Sequence, residues 1–194
     1  MVERVRTFVA IELPPGVQRG LAQLQERLKR SHPPVRWVAP DKIHLTLNFL
    51  GEIPAGQVAA AGEATAGVGA QTAPFAVEAT GVGVFPNPHR PRVVWVGLAG
   101  DMEALRALQA GLTNALAARG FPPEDRPFSP HLTLGRVRQQ ARPEEARALG
   151  QAVTELHIPS LGRWQVEQVL LIRSDLRPEG PIYTPLRVVP LGKP

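Results

Sequence analysis

The chain has 194 residues, of which 43% are hydrophobic and 20% charged, so it can bury a sizeable core in one domain or two small lobes. It contains no cysteine, which excludes disulfides, thiolate catalysis and cysteine zinc sites, and no stretch reaches the ~18 uninterrupted apolar residues that span a bilayer. A net charge of +5 and a pI near 10.6 favour a polyanionic partner.

Met1-Val2-Glu3-Arg4 runs straight into strand-like sequence without a basic segment and apolar stretch of the secretory kind, so a cytoplasmic protein is expected. Val5–Leu13 is β-branched, aromatic and apolar, as in a buried strand. Pro14-Pro15-Gly16 punctuates, and Leu21, Leu24 and Leu28 then predict a helix over 17–30. Two short extended stretches follow, 35–38 and 43–50, the second ended by Gly51. An Ala-rich helix is expected over 53–70, opening near Pro54. Strands are expected over 75–84 and 93–98. Asp101 is a suitable N-cap for a helix reaching about Arg119, with Gly120 as its stop. After a polar linker, a strand is expected over 131–137, and then a shorter helix from Pro143 to Gly150. Strands over 166–173 and 182–189 close the chain. Strands and helices in this order belong to the α+β class.

One tetrapeptide occurs twice: His44-Leu45-Thr46-Leu47 and His131-Leu132-Thr133-Leu134, each with a proline upstream (Pro40, Pro130). In a strand, residues i and i+2 share a face, so each His and Thr point one way while the leucines point into the core. A single copy is ordinary half-buried strand. Two copies stand in matching contexts, and if a pseudo-twofold axis relates the halves, the two polar faces meet across one cleft.

Opening a cyclic phosphodiester with water requires a base for the nucleophile and an acid for the departing alkoxide. Two imidazoles, one neutral and one protonated, meet that need near neutral pH. The threonine hydroxyls can donate to non-bridging oxygens as charge develops. A histidine pair also suits a metal, but neither motif offers an adjacent carboxylate or the HExxH spacing, so no metal and no cofactor is expected. All but three of the 22 cations are Arg, whose fork suits phosphate oxygens; a GC-rich genome explains the same excess. His32, His89 and His157 read as structural or solvated.

These paired motifs resemble the two-histidine phosphoesterase superfamily, and in detail its RNA 2′,3′-cyclic phosphodiesterase branch, historically called 2′-5′ RNA ligase. The similarity spans essentially the whole chain. It rests on Arg6-Thr7-Phe8-Val9-Ala10-Ile11, Arg36-Trp37, the run His44 to Gly51 and the run Phe128 to Arg136. Ser174-Asp175-Leu176 through Gly180, and Tyr183-Thr184-Pro185-Leu186, add the C-terminal part.

The resemblance implies a single domain over residues 1–194, made of two interleaved lobes. Two antiparallel-rich sheets with flanking helices would be related by a pseudo-twofold axis, with the site in the cleft between them. It implies hydrolysis of an RNA terminal 2′,3′-cyclic phosphate to a 2′-phosphate, with reverse 2′-5′ ligation as an accompanying activity. His44 would protonate the departing 3′ oxygen and His131 would activate water, roles that sequence symmetry alone does not assign. Arg136 would contact phosphate, and Tyr183, Ser174 and Phe8 would contact substrate. Phe8, Trp37, Phe49 and Tyr183 can each serve as core or as a stacking platform for a base. The implied partner is RNA with a 2′,3′-cyclic phosphate end, tRNA fragments included; no membrane and a monomer are expected. A phosphodiesterase for small cyclic or 2′-5′-linked nucleotides, and a non-catalytic RNA-binding module, are the rival readings.

Overall fold

The computed structural model describes residues 3–178 and 180–192. The reading of Met1 and Val2, and residue 179 within the C-terminal signature, lie outside the described residues. The elements are β1 (Arg4–Glu12), α1 (Pro15–Lys29), β2 (Val35–Trp37), β3 (His44–Pro54), α2 (Val58–Gly69), β4 (Phe75–Phe85), β5 (Val93–Gly100), α3 (Met102–Ala117), β6 (Leu132–Val137), α4 (Pro143–Glu155), β7 (Gly162–Val166), β8 (Gln168–Asp175) and β9 (Ile182–Pro190).

Two antiparallel sheets result. One has the order β3-β1-β8-β9, the other β2-β6-β5-β4-β7. Within each, the strand bearing an HLTL motif pairs with the strand that precedes a helix: β3 with β1, and β6 with β5. The helices are exchanged between the sheets. α1, which leaves β1, packs on β7 of the second sheet, while α3, which leaves β5, packs on β3 of the first. α2 covers β8 and β9, and α4 covers β4. One apolar core therefore takes Val9, Ile11 and Leu45 from the first sheet together with Val77, Val94 and Leu132 from the second. The motif leucines Leu45, Leu47, Leu132 and Leu134 are all buried in it, as alternation requires.

Several boundaries differ from the sequence expectation. Gly51 does not end β3: it sits in the left-handed region at φ 69°, beside a register shift, and the strand runs on to pair Ile53 with Val5. The helix expected from residue 53 accordingly begins at Val58, because Ile53 is held in the sheet. Asp101 occupies the N-cap position of α3, but its carboxylate accepts a hydrogen bond from the Ala76 backbone N–H of β4. α4 passes through Gly150 to Glu155; that glycine lies so close to Pro88 that a Cβ would meet the Pro88 carbonyl. β7 is a strand that the sequence pattern does not separate from β8. Val166 ends it on β4 of the second sheet, and β8 begins two residues later in the first.

Candidate active site

Each histidine is placed by the edge between a turn and a strand. Pro40–Lys42 forms one 3-10 turn that delivers the chain into β3, and His131 stands immediately before β6. His44 Nδ1 lies 2.9 Å from the carbonyl oxygen of Lys42, and His131 Nδ1 lies 2.7 Å from that of Ser129. A carbonyl only accepts, so each Nδ1 carries hydrogen and donates it to the residue two positions upstream. Nε2 is thereby left as the proton-exchanging nitrogen on both rings. The two halves of the chain use the same device.

Aromatic rings fix the imidazole planes. Phe8 stacks on His44 with centroids 4.7 Å apart, and Tyr183 meets the same ring edge-on at 5.1 Å. Phe85, which sequence reasoning missed, meets His131 edge-on at 5.1 Å and is itself backed by Trp95 at 5.0 Å. Burial lowers the pKa of His44, and its bond to the Lys42 carbonyl offsets part of that shift.

Helices hold the motif strands from behind. Gln25 of α1, 1% exposed, donates to the carbonyls of Val38 at 2.7 Å and Leu134 at 2.9 Å. Gln109 of α3 stands 3.5 Å from the carbonyl of Leu47 and 3.0 Å from the Thr113 hydroxyl. Leu134 and Leu47 are the same position of the repeated tetrapeptide. The anchors belong to a second echo, Leu24-Gln25-Glu26-Arg27-Leu28 and Leu108-Gln109-Ala110-Gly111-Leu112. That LQxxL spacing was the signal in the sequence. Asn48 of β3 reinforces the first lobe through the Thr113 hydroxyl, 2.7 Å away.

The faces so positioned line one open cavity of about 590 Å³ between the sheets. His44, Thr46, His131, Thr133, Arg136 and Tyr183 all reach its wall. Phe8 does not: it stands behind His44. Ser174 also stays out of the wall, being 7% exposed and paired with Tyr183 across β8 and β9. His32, His89 and His157 are exposed and lie elsewhere.

Among the described residues, four cations line the cavity, Arg36, Lys42, Arg136 and Arg177, and no carboxylate does. Arg36 and Arg136 are direct cross-strand partners of β2 and β6, where like charges repel unless an anion lies between them. Lys42 donates to the Pro181 carbonyl at 2.9 Å and so ties the first motif to the loop before β9. Burial pushes the Tyr183 phenol up, and the Arg136 and Arg6 guanidiniums draw it partly back. Among the described residues, no three His, Cys, Asp or Glu side chains converge as metal ligands. Nor is any helix among them long and apolar enough to cross a membrane. A wall of cations, hydroxyls and two imidazoles suits a phosphate, which takes charge-assisted hydrogen bonds from all three.

Known proteins carry the same architecture. A curated RNA 2′,3′-cyclic phosphodiesterase of Methanothermobacter thermautotrophicus is 36% identical over 185 residues, covering 95% of this chain and 98% of the relative. One from Archaeoglobus fulgidus is 36% identical over 184 residues, covering 95% and 99%. A crystal structure from Thermus thermophilus superposes with a TM-score of 0.78 at 30% identity, covering 97% of this chain and 98% of that one. The crystal structure of Escherichia coli LigT complexed with 3′-AMP gives a TM-score of 0.75 at 28% identity, covering 97% and 99%. The family model for LigT-like phosphoesterases matches twice, over residues 11–95 and 96–183, one match for each histidine motif. The chain belongs to the LigT-like phosphoesterase family.

Proposed function

We propose that the protein hydrolyses the 2′,3′-cyclic phosphate at the end of an RNA to a 2′-phosphomonoester, using His44 and His131 without a metal. The observation that carries this reading is the matched pair of imidazoles. Both are locked with Nδ1 on a backbone carbonyl, and both face a cation-lined cavity with no carboxylate among its described residues. The curated relatives named RNA 2′,3′-cyclic phosphodiesterase support the substrate class.

In this reaction water attacks phosphorus in line with the 3′ oxygen. His131 takes a proton from the water, the P–O3′ bond breaks, and His44 gives its proton to O3′, leaving a 3′-hydroxyl and a 2′-phosphate. Thr46, Thr133 and Arg136 bind the non-bridging oxygens as charge builds on them. Burial holds His44 toward its neutral form, so the anionic substrate has a second task. Its charge beside the ring favours the imidazolium that an acid requires. 2′-5′ ligation uses the same groups: the 5′-hydroxyl of a second RNA attacks phosphorus in place of water and gives its proton to His131, the P–O3′ bond breaks, and His44 protonates O3′, leaving a 2′-5′ phosphodiester and a 3′-hydroxyl. One domain acting as a monomer fits this reading, because each lobe supplies one histidine to the cavity and a single copy holds the pair.

Mass analysis and 31P NMR of a cyclic-phosphate oligonucleotide after incubation in excess chelator test the proposal. The expected product is the 2′-phosphate, and His44→Ala or His131→Ala loses on the order of 10²-fold or more in rate. Abolition by chelator, a 3′-phosphate product, or an undiminished rate in either variant overturns it. A second reading, a phosphodiesterase for small nucleotides, draws on the cavity volume of about 590 Å³, which is sufficient for one nucleotide. A side-by-side assay against 2′-5′-linked and cyclic mononucleotides separates the two.

A further inference from the structure

β1 keeps strict alternation while both register shifts fall on β3, so Arg6, Phe8 and Ala10 share the face of the first sheet that looks into the cleft. Phe8 and Ala10 form a small apolar floor there with Leu170 and Ile172, and Phe49 packs against it. Arg6 is the cation of this face. Its guanidinium lies 4.6 Å from the centroid of the Phe49 ring. The backbone partner of Arg6 is Glu52, whereas Phe49 is the partner of Phe8. The side chain therefore leans one register toward Phe8, the residue whose ring stacks on His44.

Glu52, its register partner, pairs with Arg4, the Glu124 carboxylate accepts from the Phe49 backbone N–H at 3.0 Å, and among the described residues Arg6 takes part in no ion pair. Arg6 is partly buried, so it gives up some of its hydration for an aromatic face alone. It lies outside the wall of the catalytic cavity, yet its charge, like that of Arg136, is felt by Tyr183. The Phe8/Phe49 register is two residues along β1 from the Ala10/Thr46 register, roughly 7 Å at a strand's rise. That offset is about the span of one extended nucleotide.

We infer that Arg6, held over Phe49, is a subsite for the phosphodiester one nucleotide upstream of the reacting cyclic phosphate. It is how the protein tells an RNA end from a free cyclic nucleotide. The inference rests on the hydrolase reading above and adds the length of substrate that the site senses. A guanidinium fork beside an aromatic platform is a common way to hold single-stranded nucleic acid without reading its sequence.

The test compares a uridine 2′,3′-cyclic phosphate mononucleotide with the dinucleotide that carries one further 5′ uridine and one internal phosphodiester. Arg6→Met is expected to raise KM for the dinucleotide, so that its kcat/KM falls at least tenfold more than that of the mononucleotide. The slope of log kcat/KM against log salt for the dinucleotide is expected to flatten by about 0.7, the loss of one phosphate contact on a single strand. Arg6→Lys, which keeps the charge, should retain that slope. Equal losses on both substrates, or an unchanged slope in Arg6→Met, overturn the inference, since a merely structural role would affect both substrates alike. If the wild-type protein hydrolyses neither substrate, the hydrolase reading has failed. Equilibrium binding of the dinucleotide 2′-phosphate to wild type and Arg6→Met then decides the subsite alone: tenfold weaker binding supports it and equal binding overturns it.

Discussion

His44 differs from its counterpart in its surroundings. It forms a three-ring cluster with Phe8 and Tyr183, whose own centroids are 5.4 Å apart, whereas the ring against His131 is Phe85. Burial in this cluster removes water from His44, which disfavours the charged imidazole and lowers its pKa from the ordinary value of 6.5. In the free protein His44 should therefore titrate below 6.5 by NMR, and addition of a nucleotide 2′-phosphate should move that titration upward. A free-protein value above 6.5 contradicts the effect assigned to burial, and no upward movement with the anion bound contradicts the acid role given to His44. The sign for stability follows from the same depression. The native state holds fewer protons than the unfolded chain, so this contribution is full above 6.5 and is lost as pH falls through the folded value. The two histidines and two threonines were legible in the sequence because strand alternation fixes which side chains share a face. Phe85 was not, because its contact with His131 joins β4 to the residue just before β6 in a sheet whose order no local pattern reveals.

At the scale of elements, the motif strands are positioned by helices that belong by sequence to the opposite lobe. Gln25 is the sharpest case, a buried amide that satisfies the Val38 carbonyl and adds a second hydrogen bond to that of the motif residue Leu134, which already accepts from the Val38 N–H. Gln25→Met keeps the volume and removes both donors. It should destabilise the protein by about 2 kcal/mol, the usual cost of leaving a buried acceptor (here the Val38 carbonyl) unpaired, and this is readable as a fall in urea midpoint. Gln109→Met should cost less, because its contact with Leu47 is longer and only partly buried. Equal, negligible effects would show that the carbonyls find other partners. α1 was legible from leucine spacing and α3 from Asp101 at its start and Gly120 at its stop, whereas their exchange between sheets was not. The errors at Gly51 and Gly150 have one origin: glycine marks both chain ends and close approaches. Here it serves a register shift in β3 and a tight contact with Pro88.

For the whole molecule, exchange of helices has a thermodynamic consequence. β1 opens the chain and β8 is near its close, yet they pair through Thr7–Ala10 and Leu170–Arg173, so the first sheet cannot form until both termini are made. α1 is then committed to the second sheet and α3 to the first, and the apolar core runs between them without a break. A break in either sheet therefore strips a helix from the other. The repeat visible in the sequence suggests two independent halves, and the two family-model matches divide the chain in β5. The contacts oppose that division. Two-state unfolding is expected, with calorimetric and van't Hoff enthalpies in agreement and coincident transitions by tryptophan fluorescence and circular dichroism. Trp37 lies on β2, Trp95 on β5 and Trp164 on β7, all in the second sheet, while circular dichroism samples both sheets. An early circular dichroism transition with fluorescence still native would mean that the first sheet opens by itself. In that event the histidine pair would be held by docking of two lobes rather than by one core, and activity would be lost in the first transition while the second sheet stayed folded.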